Sequence, residues 1–215
     1  MQTVESYSNA TSSIVGDSAR IYPYYSTDYV IALVYDISSK ENTKLIREVS
    51  AEGGYLSARM IDKDVYIVSN KYLYTMYKDY NTPEGEYEEL RPAYKDTAVS
   101  DDKCFVDYSM MYYFPGDVID NNYLIIVGFS LDNNNPASIN TYLGAGSTIY
   151  SSVNNLYVAK TTYTYTLMDT AKAIIGMNSY EVKTGVYKFE LNNGEVEYIT
   201  NGEVLRNYIK PVFYG

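Results

Sequence analysis

Apolar and polar residues in this chain follow a two-residue rhythm, not a helical one. Residues 29–38 (YVIALVYDIS), 123–132 (YLIIVGFSLD) and the shorter 186–191 (VYKFEL) each open on an apolar stretch, break into alternation and end at polar positions. Successive side chains of a strand point to opposite faces, so this pattern reads as β-strand with one or both faces covered. An aromatic residue anchors each run in register: Tyr35, Phe129 and Phe189.

The residues C-terminal to each anchor repeat as well. After Tyr35 come a polar turn at 39–42, KLIREVS at 44–50, Gly53-Gly54, YLSARMI at 55–61, a turn at 62–64 and VYIVSN at 65–70. After Phe129 the order recurs as a turn at 132–136, SINTYLG at 138–144, Gly146, STIYSSV at 147–153, Asn154-Asn155 and LYVAK at 156–160. After Phe189 the chain continues ELNNGEVEYIT, where Asn193-Gly194 is a two-residue hairpin signal, because both positions tolerate positive φ.

Each unit is therefore four short strands joined by tight turns. Four-stranded antiparallel sheets that bury their faces against one another around an axis are the blades of a β-propeller. The pattern predicts an all-β, partial β-propeller of about two and a half four-stranded blades. It begins with the last two strands of one blade and continues with two complete ones. We read residues 1–215 as one domain, with repeat units at about 28–70, 122–160 and 185–200 and long insertions at about 71–121 and 161–183. A β-sandwich is the competing architecture, but it gives no reason for Gly, anchor and turn to recur in one order. A weakly helical patch is expected near 168–177. Leu33, Tyr35, Ile67, Ile125, Val127, Tyr157, Val158 and Phe189 are expected to be buried.

Composition sharpens this picture. The chain has 28 Tyr against 5 Phe and no Trp. Tyr is a strand former with an apolar ring and a wet hydroxyl, suited to half-buried sheet faces or to a surface for sugars and peptides. A net charge of −10 repels phosphate backbones and argues against nucleic acid and anionic lipid as partners. With no His, the Ser-His-Asp and Cys-His arrangements and His metal ligands are absent from this chain. The single Cys104 has no internal disulfide partner and reads as a small strand residue. No apolar run reaches the ~18 residues of a membrane helix. Residues 1–7 lack the basic and apolar regions of a signal peptide, so any such leader is expected to lie outside this chain.

Candidate chemistry is sparse. Asp101-Asp102, Asp117 with Asp120, and the acidic stretch 84–89 offer carboxylates, but their loop setting in an acidic protein reads as solvated charge. Asp132-Asn133-Asn134-Asn135 offers oxygen ligands without the spacing of a calcium loop, and a turn accounts for it. Gly144-Ala145-Gly146 opens no helix and is not a phosphate loop. No cofactor and no metal are expected. The most distinctive polar group outside the repeat is Arg91, Tyr94 and Asp96 in RPAYKD. Its first reading is an ion pair between Arg91 and Asp96 that pins the insertion to a blade, and its second is a ligand contact. Tyr112 and Tyr113, in the same insertion, join these three as candidate ligand-binding residues.

Several stretches carry a family resemblance: 35–72, RPAYKDTAVSDD at 91–102, YYFPGDVIDNNYLIIVGFSLD at 112–132, YLGAGSTIYSSVNNLYVA at 142–159 and VYKFELNNGEVEYITNGEV at 186–204. Together they resemble secreted bacterial proteins with a C-terminal β-propeller distantly related to WD-40 repeats. The resemblance implies an extracellular or cell-surface protein and supplies no catalytic residues. The segment LRNYIKPVFYG at 205–215 fits the repeat poorly. The function expected is a non-catalytic interaction module for an unknown protein or carbohydrate ligand. The alternative is an enzyme, such as a carbohydrate-active hydrolase completed by further blades. Open strand edges predict self-association, unless the 71–121 insertion folds over an edge and caps it.

Overall fold

The computed structural model describes residues 28–73, 90–114, 120–146, 148–165 and 180–205. Thirteen strands fill these residues: β1 (Tyr29–Asp36), β2 (Lys44–Glu52), β3 (Gly54–Ile61), β4 (Asp64–Tyr72), β5 (Ala93–Asp96), β6 (Ser100–Phe105), β7 (Met111–Tyr113), β8 (Asn122–Ser130), β9 (Ser138–Leu143), β10 (Thr148–Ser151), β11 (Asn155–Tyr165), β12 (Tyr180–Asn192) and β13 (Glu195–Leu205). The helical content among the described residues is limited to 3₁₀ turns such as Tyr108–Met110. The expected helical patch at 168–177 lies outside the described residues.

The strands form three sheets in the orders β1-β2-β5-β6, β3-β4-β8-β9-β7 and β10-β11-β12-β13. The second and third sheets each contain a sequential antiparallel run of four, and the first opens on an antiparallel pair, as the repeat implied. Among the described residues this is a partial propeller of about two and a half blades. The turn at Asn193-Gly194 has positive φ at both positions (53° and 77°), the backbone that lets two strands reverse with their natural twist.

The middle sheet is covered on both sides, which explains why β8 (NYLIIVGFS) is buried at every position. Tyr66, Val68, Leu124 and Ile126 pack against Leu156, Val158, Tyr187, Phe189 and Leu191 of the third sheet. The alternate residues Ile67, Tyr123, Ile125, Val127 and Phe129 pack against Val30, Val49 and Ala51 of the first. Each such large side chain removed from water contributes about 1.5–3 kcal/mol.

Of the residues expected inside, Ile67, Ile125, Val127, Val158 and Phe189 are buried and Tyr157 is half-buried. Leu33 and Tyr35 are not: they are 40% and 48% exposed. The strand itself is where it was expected. Its Val30, Ala32 and Val34 face the middle sheet, while Leu33 and Tyr35 point to the side on which no further sheet stands among the described residues.

Candidate binding surface

The described part of the first insertion is built onto the outer edges of two blades. The β5–β6 hairpin extends the first sheet beyond β2, pairing Ala51 with Tyr94 and Val49 with Asp96. The short β7 then runs parallel to β9 at the edge of the middle sheet. Two apolar side chains clamp this crossing. Val106 is buried between the first and middle sheets, and its N–H donates to the Pro92 carbonyl at 2.9 Å. Phe114 lies between the middle and third sheets, with ring centroids 5.1 Å from Tyr142 and 3.8 Å from Tyr187. The insertion thus caps the outer edges of the first two blades.

Asp96 pins the insertion, but its partner is not Arg91. The Arg47 guanidinium on β2 donates to both Asp96 carboxylate oxygens, through Nε at 3.0 Å and Nη2 at 2.8 Å. Asp96 also accepts the N–H groups of Ala98 (3.0 Å) and Ala137 (2.8 Å). Arg47 reaches onward to the Asn135 carbonyl at 2.9 Å and lies over the Phe129 ring at 4.9 Å. One buried ion pair therefore ties the first blade, the insertion and the β8–β9 turn of the middle blade together. The oxygen-rich 132–135 segment turns backbone carbonyls toward this arginine, which supplies its cation.

Arg91 stacks instead. Its guanidinium carbon lies 5.2 Å from the Phe105 ring centroid and 5.3 Å from that of Tyr108. Asp107, between these rings in the chain, accepts from the Ser109 N–H at 2.8 Å and the Ser109 hydroxyl at 2.6 Å. Those bonds and the nearby Arg91 charge hold its carboxyl below the usual range. Phe105, Tyr108, Met110, Tyr112 and Tyr113 are all exposed, Tyr108 at 63% and Tyr113 at 67%. Tyr112 stacks on the inner Tyr142 at 5.6 Å. Tyr94, by contrast, packs half-buried against the core between the first and middle sheets, and burial, helped by Cys104 and Asp96, raises its phenol.

Residues 2–205 match a family model described as a β-propeller domain. The chain belongs to the β-propeller domain family. No curated protein and no solved structure matches it.

Within this propeller segment the five candidate residues divide. Asp96 and Tyr94 hold the insertion in place, whereas Tyr112 and Tyr113 are exposed and Arg91 is half-buried against Phe105 and Tyr108. Phe105 and Tyr108, which pack on Arg91, are not singled out by the sequence, although both stand in the aromatic-rich stretch that contains Tyr112 and Tyr113. Among the carboxylates, Asp101 and Asp102 are exposed on β6, and Asp120 is exposed where the chain enters β8. Asp117 and the 84–89 acidic stretch lie outside the described residues. Among the described residues no three His, Cys, Asp or Glu side chains come together to hold a metal ion. No helix among them is long and apolar enough to cross a membrane.

Proposed function

We propose that this propeller segment is a non-catalytic extracellular binding module, and that its contact surface is the strip formed by Arg91, Phe105, Tyr108, Tyr112 and Tyr113. One observation carries this reading: exposed aromatic rings flank a stacked guanidinium on a segment that is anchored at both ends in the core. Tyr and Arg dominate the energetics of binding surfaces because a rigid amphipathic ring or planar cation gives much contact for little lost freedom. Aromatic faces of this kind suit a carbohydrate ring or an extended protein segment equally. A position outside the cell or on its surface, in a bacterium, follows from the resemblance of the repeat to secreted propeller proteins distantly related to WD-40 repeats.

The purified chain, screened on glycan and peptide arrays, should retain a ligand that Tyr108→Ala and Tyr113→Ala each weaken about tenfold or more. A ligand retained equally by both variants would reject this surface. Turnover of a chromogenic glycoside panel by the wild-type chain would reject the non-catalytic reading and favour a hydrolase.

A further inference from the structure

Two Asn-Gly pairs stand in this chain, Asn193-Gly194 and Asn201-Gly202. An asparagine followed by glycine is prone to lose its side-chain amide. No side chain shields the glycine nitrogen from the neighbouring amide carbon, and the glycine backbone turns freely. The sequence makes the two pairs equal, and the structure separates them.

Asn193 and Gly194 are held. They form the β12–β13 turn, with positive φ at both positions, and the Gly194 N–H donates to the Tyr66 hydroxyl at 3.2 Å. Gly194 is also packed against β8: backbone atoms of Phe129 and Ser130 lie 2.8 Å from the position its Cβ would take. Its nitrogen is engaged and walled in, away from the Asn193 side chain.

Asn201 and Gly202 are under neither constraint. Both are exposed on β13, the last strand of its sheet among the described residues. Beyond the chain neighbours of Gly202, no heavy atom lies within 4 Å of its Cβ position. The register also prepares the Asn201 amide. Tyr198 pairs with Phe189 and Thr200 with Lys188, so Ile199 has no counterpart in β12. Residues three apart in a regular strand point to opposite faces, and the extra residue brings Tyr198 and Asn201 to one side. The Tyr198 hydroxyl donates to Asn201 Oδ1 at 2.6 Å, and its ring is steadied edge-on by the buried Phe189 at 5.8 Å.

We propose that Asn201 is a deamidation site of the folded chain, with the Tyr198 hydroxyl as its electrophilic aid. The Gly202 nitrogen loses its proton to hydroxide and bonds to Asn201 Cγ. Negative charge gathers on Oδ1, where the Tyr198 hydrogen bond stabilises it. The Cγ–Nδ2 bond then breaks, and the nitrogen takes a proton from water and leaves as ammonia. Water opens the cyclic imide at either carbonyl, giving aspartate or isoaspartate at position 201. In sum one water is taken up and one ammonia is released. Aspartate adds a charge two residues from Glu203, and isoaspartate adds a methylene to the main chain where Asn201 pairs with Tyr187.

The test incubates the purified chain, folded or in urea, at mildly alkaline pH. Cleavage at glutamates, which include Glu195 and Glu197, separates the two asparagines for mass spectrometry. In the folded chain Asn201 should convert while Asn193 stays intact. Tyr198→Phe keeps the ring on Phe189, removes the donor and should slow Asn201 about fivefold, the worth of one hydrogen bond. In urea both asparagines should convert at similar rates and the Tyr198→Phe effect should vanish. Equal conversion of Asn193 and Asn201 in the folded chain would overturn the proposal, as would an Asn201 that converts only in urea. A folded Tyr198→Phe variant converting at the wild-type rate would remove the hydroxyl from the reaction.

Discussion

Arg47 and Asp96, 49 positions apart in the chain, meet in two charge-assisted hydrogen bonds, with side chains only 5% and 2% exposed. A buried pair of this kind adds little over a well-packed apolar pair, but removing one partner strands the other charge in a dry site. Asp96→Ala would leave Arg47 uncompensated and orphan the N–H groups of Ala98 and Ala137. It should cost about 3–5 kcal/mol of unfolding free energy in urea titration. A loss near the ~0.5 kcal/mol of an ordinary surface substitution would mean that the pair is solvated.

The same carboxylate sets an acid limit. Burial pushes the Asp96 proton affinity up, but this is outweighed by the hydrogen bond from Arg47, the Ala98 and Ala137 N–H groups and the Arg47 charge, so its pKa lies below the ordinary value. A depressed folded pKa gives stability that is fully present above the unfolded value of about 3.9 and is lost as pH falls through the folded one. Thermal midpoints should therefore decline below about pH 4, with the Asp96→Asn variant showing a shallower acid limb than the wild type. Equal acid slopes in the two proteins would mean that other carboxylates set the limit.

Much of the scaffold was legible because strand alternation is a local signal. The β8 run, the Asn193-Gly194 turn and the four-strand unit all follow from residues within a few positions of one another. The insertion was not legible in the same way. β6 is an edge strand whose Asp101, Asp102 and Lys103 protect it from pairing and so break the alternation that would reveal it, and β7 is too short to show a period. Alternation also says that Leu33 and Tyr35 share a face without saying whether another sheet covers it. Arg47 looked like one polar residue of a strand, and only the fold carries it to Asp96. The aromatic strip was half visible: Tyr112 and Tyr113 stood out by composition, whereas Phe105 and Tyr108 gain their meaning from the guanidinium between them.

Close approach between the middle and third blades depends on missing side chains. A Cβ at Gly128 would overlap the Gly194 carbonyl oxygen, and Gly194 itself sits with its Cβ position 2.8 Å from the Phe129 carbonyl carbon and the Ser130 nitrogen. This places the Asn193-Gly194 turn against β8, where the Gly194 N–H donates to the Tyr66 hydroxyl at 3.2 Å. Gly128→Ala must push the blades apart and should cost about 1–3 kcal/mol by overpacking. Gly202→Ala, on β13 with no atom within 4 Å of its added methyl, is the matched control. It should be neutral or stabilise by up to roughly 1 kcal/mol, because alanine loses less backbone freedom than glycine on folding. Equal destabilisation by both would show that strand glycines matter here for flexibility and not for blade packing.

Buried tyrosines contribute to the alkaline behaviour of the chain. Burial, with smaller contributions from Tyr112 and Tyr198, pushes the Tyr142 phenol up to about 12. Burial also raises Tyr29, Tyr66, Tyr94, Tyr123 and Tyr187. The unfolded chain releases these protons near pH 10, while the folded chain still holds them. Between about pH 10 and pH 12 the unfolded state thus binds fewer protons, and stability must fall as pH rises. Tyr142 alone accounts for roughly 2–3 kcal/mol across that window. Tyr142→Phe keeps the ring contacts, 5.1 Å to both Phe114 and Phe189, and removes the ionisable group. Its urea midpoint should match the wild type near neutral pH and exceed it above pH 10, with the phenolate absorbance of the wild type rising latest for the most buried rings. Parallel loss of stability in the two proteins up to pH 12 would show that the Tyr142 hydroxyl reaches solvent.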